Sequence, residues 1–291
     1  MSATAGCRLV EVADGAVPTG GFPALVMYPA GEPEHTVAFP PYTTEVAMDA
    51  PVATGPHHLV VISHGTGSWH LVHRALGTHL ARSGFVVAMP VHPGDNREDD
   101  TAVGTPDNLG ERPRHLRVLA DRLASDDLLG PQLSGRVAAI GHSMGGGTVL
   151  ALAGGRPTTL PREEPDGVPR AVGVEPDPRI GALVLLAPAT AAFREEGALS
   201  GVGVPVLMLT GERDEVTTGI HAQIVATGLP AHAPLEHHVV AGAGHNSFLS
   251  PYPAEMTGPQ YPASLDPEGF DRRAFHDWMA AEILGFLRRV L

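Results

Sequence analysis

Three residues, in the chain order Ser143, Asp214 and His245, have the types and surroundings needed for nucleophilic attack on an acyl carbon. Ser143 lies in Gly141-His142-Ser143-Met144-Gly145, a G-x-S-x-G pattern that follows an apolar run at 137–140 and precedes the small residues Gly146 and Gly147. That context weighs more than the pentapeptide itself. A chain turning sharply from strand into helix needs glycine where a Cβ would collide, and such a turn holds the serine hydroxyl out above the sheet. The hydroxyl then also lies at a helix start, where unpaired N–H groups favour negative charge. The competing reading of the same turn is a serine that binds a phosphate or simply packs.

A serine hydroxyl is a weak nucleophile without a neighbouring base, and the base needs an acid to orient it. The segment Thr210-Gly211-Glu212-Arg213-Asp214-Glu215-Val216 follows an apolar run at 204–209 and offers three carboxylates. Asp214 is preferred, with Glu212 and Glu215 as rivals. Among the 16 histidines, His245 stands out because it follows the flexible Ala241-Gly242-Ala243-Gly244 and comes after the last apolar run, at 235–240. His57 and His58 precede a strand, His237 and His238 lie in one, and His73, His79, His115, His221 and His276 fall on helix-like stretches. In the resulting scheme His245 takes the proton of Ser143, Asp214 steadies the imidazole, and water hydrolyses the acyl-enzyme. The oxyanion intermediate needs two fixed donors. The N–H of Met144 is one, and the turn Ser63-His64-Gly65-Thr66-Gly67-Ser68-Trp69 supplies the other, most suitably from Thr66. Gly65, Trp69 and His142 are the candidate substrate contacts.

The elements that must position these residues are short β-rich runs alternating with helix-length stretches, the pattern of a mostly parallel sheet covered on both faces. Runs at 22–28 and 43–48 are expected to form an antiparallel edge, and runs at 59–63, 85–89, 137–140, 182–186, 204–209 and 235–240 to lie parallel. Apolar spacings of three and four predict helices over 71–82, 114–123, 217–226 and 275–291. The stretch 156–178 carries six prolines and few apolar residues, so it is expected to be an insert; a second proline-rich loop spans 250–267. Both are expected as lid elements on a single domain of 291 residues.

Charge narrows the partners. Against 32 acidic residues stand 19 basic ones, all arginine, for a net charge of −13. Nucleic acid and anionic membrane surfaces are therefore not expected as partners. The absence of lysine excludes Schiff-base chemistry. A lone cysteine, Cys7, can form no intrachain disulfide. The acidic run Asp95-Asn96-Arg97-Glu98-Asp99-Asp100 lacks the spacing of a calcium loop and reads as solvated. His70 and His73 have no further ligand at metal spacing. No metal or other cofactor is expected, and neither a signal segment nor an 18-residue apolar span is evident. A cytoplasmic monomer or homodimer acting on a small-molecule ester is the expectation.

The run HHLVVISHGTGSWHLVHRALGTHLARSGFVVAMPVHPGDN, with GHSMGGGTVL, TGERDEV and GAGHNSF, resembles the dienelactone hydrolase-like group of α/β-hydrolases. It is also similar to platelet-activating-factor acetylhydrolases and cutinase-like polyesterases. The resemblance covers roughly 59–248. It implies an α/β-hydrolase fold and an esterase with Ser143, Asp214 and His245 as triad and Thr66 and Met144 as oxyanion donors. Dienelactone hydrolases themselves carry a cysteine where this chain has Ser143, which points away from dienelactone. Secreted polyesterases carry a leader and often a disulfide, so extracellular polymer cleavage is not expected. A carboxylic ester, thioester or lactone is the expected substrate. An acyltransferase or cyclase using the same acyl-enzyme is the alternative, followed by a non-catalytic binding module.

Overall fold

A computed structural model describes residues 4–291. Among the described residues ten strands form one sheet: β1 (Thr4–Ala13), β2 (Gly21–Ala30), β3 (His35–Phe39), β4 (Tyr42–Met48), β5 (His57–Ser63), β6 (Val86–Pro90), β7 (Leu133–His142), β8 (Ile180–Leu186), β9 (Val206–Gly211) and β10 (Leu235–Val240). Their spatial order is β10-β9-β8-β7-β5-β6-β2-β1-β4-β3. From β10 through β6 every neighbouring pair is parallel. The six runs expected to be parallel are so.

Central strands are apolar at nearly every position because both faces are covered. All seven residues of β8 are buried. Along β5, Leu59 and Val61 point into one core while Val60 and Ile62 point into the other. On the first side pack α2 (Pro106–Ala124), α3 (Met144–Leu152) and α4 (Gly219–Gly228); on the second, α1 (Arg74–Arg82) and α5 (Arg272–Val290). Each fully buried Val, Leu or Ile side chain contributes roughly 1.5–3 kcal/mol relative to exposure. The layered sheet is thus held from both faces by the same alternation that defines its strands. No helix among the described residues is long and apolar enough to cross a membrane.

The antiparallel side is larger than expected. β2 and β4 are not neighbours: β1 lies between them, antiparallel to β2 and parallel to β4, and β3 pairs with β4 at the sheet edge. β1 escapes a simple apolar reading because solvent-facing Leu9 and Glu11 alternate with buried Val10 and Val12. The helix expected over 71–82 is a 3₁₀ turn, His70–His73, followed by α1. That expected over 114–123 begins earlier, since Thr105 caps it and Pro106 occupies its first position. Its first turns carry Asp107, Asn108, Glu111 and Arg112, which hide it from an apolar-period reading.

Candidate active site

The turn that carries Ser143 follows from backbone crowding. Ser143 joins β7 to α3 with φ 53° and ψ −120°, a left-handed conformation that a non-glycine residue adopts only when its surroundings enforce it. A Cβ on Gly141 would strike the Gly145 carbonyl, and one on Gly145 the Ser63 carbonyl at the end of β5. Neither obstacle is a flexible side chain. Gly145→Ala is therefore expected to destabilise the fold by about 3 kcal/mol, read as a lower urea midpoint. A variant as stable as the parent would mean that the β5 end can retreat.

His245 follows β10 and Asp214 follows β9, so the parallel pairing of these two strands sets their loops side by side. His245 Nδ1 lies 2.9 Å from Asp214 Oδ2. The other carboxylate oxygen accepts the N–H groups of Val216 and Thr217, each at 2.8 Å. Burial raises the Asp214 pKa, but the hydrogen bonds from His245 and Thr217 outweigh it and hold the carboxyl at about 2. Glu212 instead accepts the Gly242 N–H at 2.8 Å, and Glu215 is exposed, so neither rival meets His245.

Thr217 is the residue that sequence reasoning missed. Its hydroxyl lies 2.7 Å from Asp214 Oδ2 and 3.2 Å from His245 Nδ1, so it buttresses the carboxylate from the side opposite the backbone. The signal was a threonine three positions after the carboxylate, the spacing at which a side-chain acceptor captures a backbone N–H. Ser143 is half-buried, and its hydroxyl bonds to no described residue. A serine–histidine contact of this kind often tightens only once a ligand is bound.

The turn after β5 approaches the elbow closely. A Cβ on Gly65 would sit 3.2 Å from Ser143 Cβ and 3.3 Å from His142 Nδ1, so a side chain here would crowd the elbow. The Thr66 N–H bonds to no described residue, and the Met144 N–H, at the first position of α3, has no intrahelical acceptor. Two backbone donors thus flank the serine. His142 is buried beneath the site; its Nε2–H donates to the His245 carbonyl at 3.0 Å and its Nδ1 has no partner. Burial, reinforced by His245, pushes its pKa down to about 3, so it is a neutral strut under His245.

Above these groups opens a cavity of about 580 Å³. Ser143, His245, Gly65, Thr66 and His142 line it, with aromatic walls from Tyr42, Trp69, Tyr252 and Tyr261. Trp69 lines the cavity and packs 6.2 Å from Tyr42, with the Arg97 guanidinium 5.0 Å over its ring. From the loop at 250–267 come Tyr252, Met256, Gln260, Tyr261, Pro262 and Ala263. No residue of 156–178 is among those lining the cavity; that insert folds on itself, with Thr158 bridging Ala171 and Arg170 pairing with Glu164 and Asp166.

The acidic run at 95–100 differs from the solvated loop expected of it. Asp95 is completely buried and pairs with Arg112 of α2 at 2.7 Å, because the loop after β6 dives under the turn that follows β5. Asn96 is buried as well, its side chain donating to the His92 carbonyl, whereas residues 97–100 are exposed.

No family model and no curated protein matches the chain. Among solved structures, a ferulic acid esterase from Streptomyces cinnamoneus superposes with a TM-score of 0.72 at 20% identity, covering 99% of this chain and 89% of that one. With six parallel strands, helices on both faces and a serine elbow after β7, the chain has the α/β-hydrolase fold.

Proposed function

We propose that the protein is a serine esterase that cleaves a small or medium carboxylic ester by an acyl-enzyme route, with Ser143 as nucleophile, His245 as base and Asp214 as its orienting acid. The observation that carries this reading is the 2.9 Å contact between His245 Nδ1 and the buried Asp214, behind a cavity that His245 lines together with a left-handed Ser143. Ser143 Oγ gives its proton to His245 Nε2 as the Oγ–carbon bond forms and the carbonyl electron pair moves onto oxygen. The N–H groups of Thr66 and Met144 stabilise that oxyanion. Collapse breaks the bond to the alcohol, which leaves with the proton from His245. One water then repeats the sequence and releases the acid.

The aromatic walls suit an acyl or alcohol group with an apolar or aryl face, and the similarity to a ferulic acid esterase supports an aryl-containing ester within that class. The loop at 250–267 is the wall that selects this group, since it contributes two tyrosines and a methionine to the cavity.

A fluorophosphonate probe is expected to label the purified protein stoichiometrically at Ser143, located by peptide mass spectrometry, and to abolish cleavage of p-nitrophenyl butyrate. Labelling elsewhere, or unlabelled protein that turns over the ester, would refute the assignment.

A further inference from the structure

Beneath the oxyanion turn lies an ion pair with no exposed surface. Arg112 and Asp95 are both fully buried and meet at 2.7 Å. Asp95 also accepts the Gly67 N–H at 2.6 Å and the Asn108 side-chain amide at 2.8 Å. Arg112 donates to Thr148 Oγ1 at 3.1 Å, to Ser63 Oγ at 3.2 Å and to the His64 carbonyl. Thr148 in turn donates to the Met144 carbonyl at 3.0 Å. One ion pair thus reaches the residue after Thr66 through Asp95, the residues before Gly65 through Arg112, and the first turn of α3 through Thr148.

Desolvating two charges costs several kcal/mol each, and well-packed apolar replacements of such pairs are often neutral or stabilising. Stability alone therefore gives little reason for this pair to be here. Its placement gives another. The turn 64–67 has no regular secondary structure to hold it, and Gly67 adopts φ 57°, so the Asp95 anchor on its N–H decides where the preceding Thr66 N–H lies.

We infer that the Asp95–Arg112 pair is a positioning device that fixes the Thr66 and Met144 N–H groups relative to each other and to Ser143, acting on turnover rather than on substrate binding. This rests on the esterase reading above. A donor displaced by a few tenths of an ångström still admits the planar ester. It fails the tetrahedral oxyanion, which requires both donors at hydrogen-bond distance at once.

The test is the paired variant Asp95→Leu/Arg112→Met, which removes both charges together and leaves neither uncompensated. With p-nitrophenyl butyrate, kcat is expected to fall on the order of 100-fold, the cost of losing one oxyanion donor, while KM changes less than about 3-fold. Affinity for an alkyl boronic acid, whose tetrahedral adduct on Ser143 mimics the intermediate, falls in parallel with kcat. A folded variant with wild-type kcat, or one whose loss lies in KM alone, overturns the proposal. Should the paired variant not fold, Thr148→Val decides, because it keeps the ion pair and cuts only its link to α3. A kcat about 5-fold lower at constant KM, the worth of one hydrogen bond, supports the device, and an unchanged kcat overturns it. Absence of turnover in the wild-type chain refutes the esterase reading itself, a different result from either.

Discussion

Replacing Ser143 by alanine is expected to lower kcat for p-nitrophenyl butyrate on the order of 10⁶-fold, with KM nearly unchanged. The size of the loss follows from the absence of a second nucleophile. The chain has no lysine, and its only cysteine, Cys7, is fully buried in β1, where burial and then the charge of Asp49 push the thiol up to about 12. Neither an amine nor an accessible thiol can therefore stand in for the serine hydroxyl. The Cβ that remains in alanine keeps the steric demand of the left-handed turn, so the variant retains the fold and the cavity. In the proposed mechanism Ser143 and His245 act on one proton, and the double variant Ser143→Ala/His245→Ala is therefore expected to be no slower than the single one. Residual activity above about 1% of wild type in Ser143→Ala would place the nucleophile elsewhere. A double variant far slower than the single would show that His245 activates something other than this serine.

Much of this arrangement was legible because its chemistry is local in sequence. The elbow is written in five residues whose glycines answer collisions with Gly145 and Ser63, and the six parallel strands are written as apolar runs that only a doubly covered sheet permits. What the sequence hid is non-local or masked by polarity. β1 reads poorly because solvent-facing Leu9 and Glu11 dilute it, and its insertion between β2 and β4 depends on pairings across the chain. The acidic run at 95–100 looks solvated until the fold delivers Arg112 to Asp95, a partner on another element. Thr217 looked like a helix start; only the facing loop of His245 reveals that its hydroxyl touches both Asp214 and His245. The proline-rich stretches were recognisable as irregular, but which of them meets the cavity was not. Tyr252 and Tyr261 reach it because their loop follows directly from the His245 turn.

Asp214→Asn is expected to cost on the order of 10⁴-fold in kcat while leaving the cavity intact. In the proposed mechanism the carboxylate, 2.9 Å from His245 Nδ1, holds the imidazole proton there, which leaves Nε2 free to accept from Ser143. An amide in its place must also satisfy Thr217, whose hydroxyl donates to the same oxygen at 2.7 Å, and the Val216 and Thr217 N–H groups on the other. An NH₂ group in either place opposes a donor, so the imidazole no longer has a fixed tautomer. The same change carries a stability signature. With its folded pKa held at about 2, Asp214 lies below an unfolded aspartate near 3.9. Its contribution to stability, about 2 kcal/mol, is therefore fully present above roughly pH 4 and is lost as pH falls towards 2. The gap in urea midpoint between wild type and Asp214→Asn is expected to be widest near pH 7 and to shrink below pH 4. A gap constant from pH 7 to pH 2.5 would mean that the lost activity reflects a lost shape rather than a lost charge. In that case an Asp214→Glu variant, which keeps the charge, would recover nothing.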